Sequence, residues 1–173
     1  MQEQAKIEPT CSTIQEKIQK AHRLYAAWGE SLRRDPSIEP LLQRLRRNIE
    51  ATCQTMLALG VVAQCKHCEE EEGGSCCGSG IENRYDPLLL LINLLLGVSL
   101  PAQPEHQNSC FFLGQNGCIL MARHVLCVNY LCAKIQQKLS RDELIRLQTS
   151  AGQELDTEFL LYEAIKKKLR HAI

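Results

Sequence analysis

The sequence predicts a mainly α protein, a helical bundle with a cysteine-rich loop and a short β-hairpin that together form a metal-binding flank. Three observations lead there. Apolar residues recur at three- and four-residue steps over long stretches on both sides of the chain's centre. Helix start signals precede those stretches. Between them, eight of the ten cysteines fall into two short windows, "QCKHCEEEEGGSCCG" and "CFFLGQNGCILMARHVLCVNYLC".

The first periodic stretch is 12–34. Ser12 and Gln15 have capping-box spacing, and Ile14, Ile18, Ala21, Tyr25, Trp28 and Leu32 form one face. Pro36 breaks it, because proline cannot continue a helix interior. Ser37 is then placed to cap a second helix reaching about 59, with Pro40 in its first turn. Its stripe is Leu41, Leu45, Ile49, Cys53, Met56 and Leu57, and Gly60 lies just past its end. Two such helices joined by a short turn predict an antiparallel hairpin.

Residues 65–80 contain four glycines and the run "EEEEGGS", which cannot build a core and reads as a solvated loop. A third helix, 86–98, is apolar on most sides and therefore central. "SLPAQPEHQNS" reads as a polar loop, and Asn116-Gly117 suits the turn of a short hairpin within 110–121. Helices are expected at 121–138, at 141–150 behind a Ser140/Glu143 capping box, and at 156–170. The chain thus reads as a single domain, 1–173, in which a cysteine-bearing segment, 65–132, sits between flanking helices at 12–59 and 139–170. No fixed-period repeat interrupts it.

Composition narrows the function classes. At 173 residues the chain can bury a core without disulfides. Twenty basic and twenty acidic residues give zero formal charge, and aromatics make up 5%. Nucleic-acid binding, which needs a basic excess or stacking platforms, is therefore not expected. The longest apolar run, within 87–101, spans about a dozen residues where a membrane span needs about 20. With no basic-then-apolar leader at the start, the expected setting is cytoplasmic, where thiols stay reduced and clustered cysteines signal metal.

Cys65-x2-Cys68 is a spacing at which one turn can aim two thiolates at one ion. Cys76, Cys77, Cys110, Cys118, Cys127 and Cys132 complete a set of eight candidate ligands. Two quartets suit two four-thiolate sites, each zinc or an iron–sulfur cluster, or sites that interleave both windows. Both metals accept four thiolates, so spacing does not choose between them. Cys11 and Cys53 read as small hydrophobes. His67 and His124 read as residues pointing away from the metal. Arg123, Lys66 and Arg84 could balance thiolate charge. No catalytic constellation is present beyond these ligands. The alternatives are a thiol–disulfide oxidoreductase built on Cys65 and Cys68, which would want a βαβ setting, and a metal storage or delivery protein.

The order of Cys65, Cys68, Cys76, Cys77, Cys110, Leu113, Cys118, Arg123, Cys127 and Tyr130 resembles the YkgJ-type cysteine cluster family, also described as the CxxCxxCC zinc- or iron-chelating domain. Two departures stand out. Seven residues separate Cys68 from Cys76 where the family usually has two, and Arg123 is followed by His124 where it has proline. The resemblance implies metal chelation, with a redox or modifying enzyme as the protein partner. The flagellin lysine methylase carries such a module, but nothing in this chain matches a catalytic domain for that reaction.

Overall fold

A computed structural model describes residues 13–72 and 77–170. The chain runs through α1 (Ile14–Arg33), α2 (Glu39–Ala58), α3 (Val61–Glu71), a 3-10 turn (Ile81–Arg84), α4 (Pro87–Leu95), β1 (Leu113–Gly114), β2 (Gly117–Cys118), α5 (Val125–Asn129), α6 (Ala133–Lys138) and α7 (Arg141–Leu169). It is mainly helical, as expected.

At the start of α1, Thr13 and Glu16 make the capping box, each bonding the other's backbone N–H. The predicted pair is shifted by one residue, and Ser12 lies outside the described residues. Helix α2 starts at Glu39, not behind Ser37. The Ser37 hydroxyl and N–H both bond Asp35 Oδ1 (2.5 and 2.9 Å), closing a turn ahead of the helix. The buried stripe of α2 is Leu42, Leu45, Ile49, Thr52 and Met56, so Cys53 and Leu57 are exposed.

The two long N-terminal helices do not pair as a hairpin. Helix α1 packs along α4, and α2 packs along α7. The reason is the composition of α4. All of Leu89 to Leu95 is buried, so α4 needs partners around its circumference and draws α1 onto itself. Asp86 caps it, accepting from the N–H groups of Leu88 and Leu89 (2.8 and 2.9 Å). At its other end, Arg33 of α1 donates to the carbonyls of Leu94 and Leu95, and Arg46 of α2 to that of Leu96. Carbonyls that the helix cannot satisfy are thereby paired.

Helix α7 is continuous where two helices are expected. Leu147, Ala151, Glu154, Thr157, Leu161, Ile165 and Leu169 form one unbroken buried stripe. Burial along that stripe outweighs the cost of about 1 kcal/mol for glycine at Gly152. The Ser140/Glu143 capping box forms as predicted. Polar bonds line the seam with α2: Arg44 Nε and Asn48 Nδ2 both donate to Thr157 Oγ1 (3.0 and 2.9 Å).

The single helix expected over 121–138 is instead an extended segment followed by α5 and α6. Buried Asn93 explains the first break. Its Oδ1 accepts from Met121 and Ala122 N–H, and its Nδ2 donates to the Ala122 carbonyl. His124 then caps α5 through Nδ1, and Cys132 stands in extended conformation ahead of α6. The hairpin forms as predicted, with Leu113 opposite Cys118 and Gly114 opposite Gly117. Gly117 has φ of 106°, a conformation that favours glycine.

Most apolar burial lies in one core made by α1, α2, α4, the end of α7 and residues 110–122. A smaller cluster, Met56, Val61, Ile135 and Leu147, joins α2, α3, α6 and α7. Among the described residues, no helix is long and apolar enough to cross a membrane.

Candidate metal centre

The two cysteine windows meet in space. Gly78 and Ser109 pair as an antiparallel bridge, and Cys110 N–H donates to the Cys77 carbonyl at 2.7 Å. The hairpin then turns the chain back so that Cys118, on β2, returns to the same place. Cys127 arrives on α5, whose first turn is fixed by Cys127 N–H bonding the His124 carbonyl (2.7 Å).

Tyr85 anchors this convergence. Its ring is buried, packed edge-on against Phe112 with centroids 5.2 Å apart. Its hydroxyl accepts from His124 N–H (3.0 Å) and donates to Cys127 Sγ (3.9 Å). Burial, then the neighbouring Cys127 and Cys118, push the phenol far above its ordinary range, so it stays a donor.

Electrostatics link thiols of the two windows. Burial pushes Cys110 up to about 12, and Cys118 and Cys77 push the same way. Cys118 is pushed up to about 11, chiefly by burial, with Cys77 and Cys127 adding and Arg123 opposing. Cys118 thus interacts with Cys77, Cys110 and Cys127 and with the Arg123 guanidinium, and Cys110 interacts with Cys77 as well. Without added positive charge, the buried thiols of Cys110 and Cys118 keep their protons. A bound metal ion would supply that charge, since thiolate ligands and metals stabilise each other.

The four thiols do not form a closed shell. Among the described residues, no three His, Cys, Asp or Glu groups stand close enough together to hold a metal ion. Cys76 and Cys11 lie outside the described residues. Cys110 is buried and Cys77, Cys118 and Cys127 are half-buried, and thiols are the donor type that soft metals take.

Cys65 and Cys68 sit elsewhere, on α3, because the helix extends to Glu71 where a loop is expected. They are one turn apart, and their backbone N–H groups lie inside the helix, so those amides are not free to donate to sulfur as in a metal-binding turn. Cys68 Sγ accepts from Gln64 Nε2 (3.6 Å) and Lys134 Nζ (3.8 Å) and approaches Glu72 Oε2 (3.6 Å). Lys134 also pairs with Glu72, tying α6 to α3. Cys132, two residues before Lys134, packs on the smaller apolar cluster. These three cysteines thus belong to the α3–α6 side of the molecule.

The other candidates have local roles. His67 Nε2 is 3.5 Å from Glu72 Oε1, and Lys66 pairs with Glu70. His124 is held below its ordinary pKa by burial and by Arg84, which leaves Nδ1 able to accept as a cap. Cys53, expected to act as a small core hydrophobe, is exposed. Sequence reasoning missed Tyr85, which no motif marks. It also missed Glu154 and Glu158, although the register of Leu147, Ala151 and Leu161 places Glu154 on the buried face.

No protein-family model, no curated protein and no solved structure matches the chain.

Proposed function

We propose that the protein binds a metal, as a zinc ion or an iron–sulfur cluster, through Cys77, Cys110, Cys118 and Cys127, with Cys76, next to Cys77 in the sequence, as a further candidate ligand. The observation that carries this reading is that thiols from both sequence windows approach Cys118, while buried Tyr85 bonds Cys127 Sγ. Zinc would staple the 77–85 segment to the hairpin and α5. A cluster would hold the same segments and add one-electron chemistry. Arg123 beside Cys118 offsets part of the thiolate charge, and Tyr85 donates to Cys127 Sγ, the kind of bond that tunes a metal-bound sulfur. The reading places the chain in a reducing, cytoplasmic setting. Cys65, Cys68 and Cys132 form a second, more accessible set on the α3–α6 side.

Single serine substitutions test the assignment. Cys118→Ser and Cys127→Ser are expected to lower bound metal per chain to less than half, since a hydroxyl is a poor substitute for thiolate. Cys53→Ser is expected to leave the stoichiometry intact. Elemental analysis of protein purified without oxygen reads both, and equal loss at Cys53 would overturn the ligand set.

A further inference from the structure

We propose that Glu154 and Glu158 share one proton at neutral pH and act as a proton-operated latch on the seam where α7 meets α2 and α5.

The geometry comes first. Glu154 is fully buried, and neither of its carboxyl oxygens has a hydrogen-bond partner. Glu158, one helical turn on, buries Oε2 in the same condition. Thr52 on α2 lies close enough to favour the charged form of Glu154, but its one hydroxyl hydrogen is donated to the Asn48 carbonyl at 3.0 Å. Three buried acceptor atoms without a partner are costly unless something donates to them. A single proton does this economically. The carboxylic acid of one residue donates to the carboxylate of the other, which leaves one negative charge.

That charge has one matching cation. Arg123 acts favourably on both carboxyl groups from the segment before α5. One guanidinium balances one carboxylate and not two. Among the described residues, Arg123 is the cation that acts on both carboxyl groups. Asp86, at the head of α4, adds negative charge to Glu158 and is itself held by Tyr162 Oη at 2.8 Å. Arg44 on α2 is committed to Thr157. Arg84, His124 and Asp156 line the open cavity of about 390 Å³ beside Glu158, with His124 held neutral. That cavity lets Glu158 exchange its proton with water while Glu154 is sealed behind it.

Burial and then Glu154 push Glu158 up to about 8, in keeping with one retained proton. Because this folded value lies above the ordinary one near 4.5, the folded chain binds the extra proton between those limits. Stability is therefore highest below about pH 4.5, falls as pH rises towards 8, and levels off above it. Losing the proton leaves two like charges one turn apart against a single guanidinium, and the seam loosens.

The test uses the full chain labelled at the glutamate side-chain carboxyl carbon and followed by NMR against pH. The expected result is one titration with a midpoint near 8, absent in Glu158→Gln. The folded-to-unfolded ratio of Glu158→Gln, measured in urea, should also gain on the parent by up to about tenfold per pH unit between 4.5 and 8. If every glutamate finishes titrating below pH 6, or if the advantage of Glu158→Gln does not grow with pH, the latch is refuted. Should Glu158→Gln fail to fold, the parent titration decides alone.

Discussion

Phe112→Ala is expected to lower the folding free energy by about 3–5 kcal/mol, the usual cost of emptying a fully buried phenylalanine site. Phe112 is 0% exposed and packs edge-on against both Tyr85 and Phe111, with centroids 5.2 and 5.4 Å away. Its carbonyl also accepts from Ile119 N–H at 3.0 Å, closing the hairpin. The cavity would therefore open between the main core and the segment that carries Cys110 and Cys118. Urea denaturation of reduced protein measures the loss. Phe159→Ala is the internal control: this ring is 64% exposed, so its removal is expected to change stability by no more than about 0.5 kcal/mol. Similar losses for the two variants would contradict the placement of the core.

Removal of the proposed metal is the second large effect expected. The thiol-bearing segments, 77–85 and 110–132, have little regular structure and depend on cross-segment bonds. The α1–α4 and α2–α7 pairs have their own apolar contacts. Stripping the metal with a strong chelator is expected to raise amide exchange in the thiol-bearing segments by tenfold or more. Protection in α4 and the middle of α7 should change little. Simultaneous loss of protection everywhere would mean that metal and helices form one cooperative unit, against the division described.

The long helices were legible because their signals are local. The capping box before α7, the apolar run of α4 and the Asn116-Gly117 turn each act within a few residues. The errors arose where a distant residue intervened. Asn93 holds Met121 and Ala122 extended from nearly thirty positions away, so the helix expected from 121 could not be excluded from its own sequence. The break expected between 150 and 156 is overridden by the buried stripe of α7. Pairing of α1 with α4 rather than α2 depends on which surface most needs covering, and short turns do not encode that.

The candidate site was legible in part for the same reason. Clustered cysteines marked the candidate residues, but spacing alone did not divide them. Cys65-x2-Cys68 has the look of a metal-binding turn, yet both residues lie on α3, where helical bonding occupies the backbone amides. The set that converges is drawn together by the Gly78–Ser109 bridge, the hairpin and Tyr85, all long-range features. Arg123, matched in the family resemblance, lies beside Cys118 and also faces Glu154 and Glu158.

X-ray absorption at the metal edge, on protein purified without oxygen, tests the central claim most directly. Four-thiolate ligation predicts a stoichiometric metal with a sulfur-dominated shell at about 2.3 Å, diminished in Cys118→Ser. Iron neighbours with acid-labile sulfide would identify a cluster, and a lone zinc a staple. Absence of stoichiometric metal, or a shell of nitrogen and oxygen alone, would contradict the account.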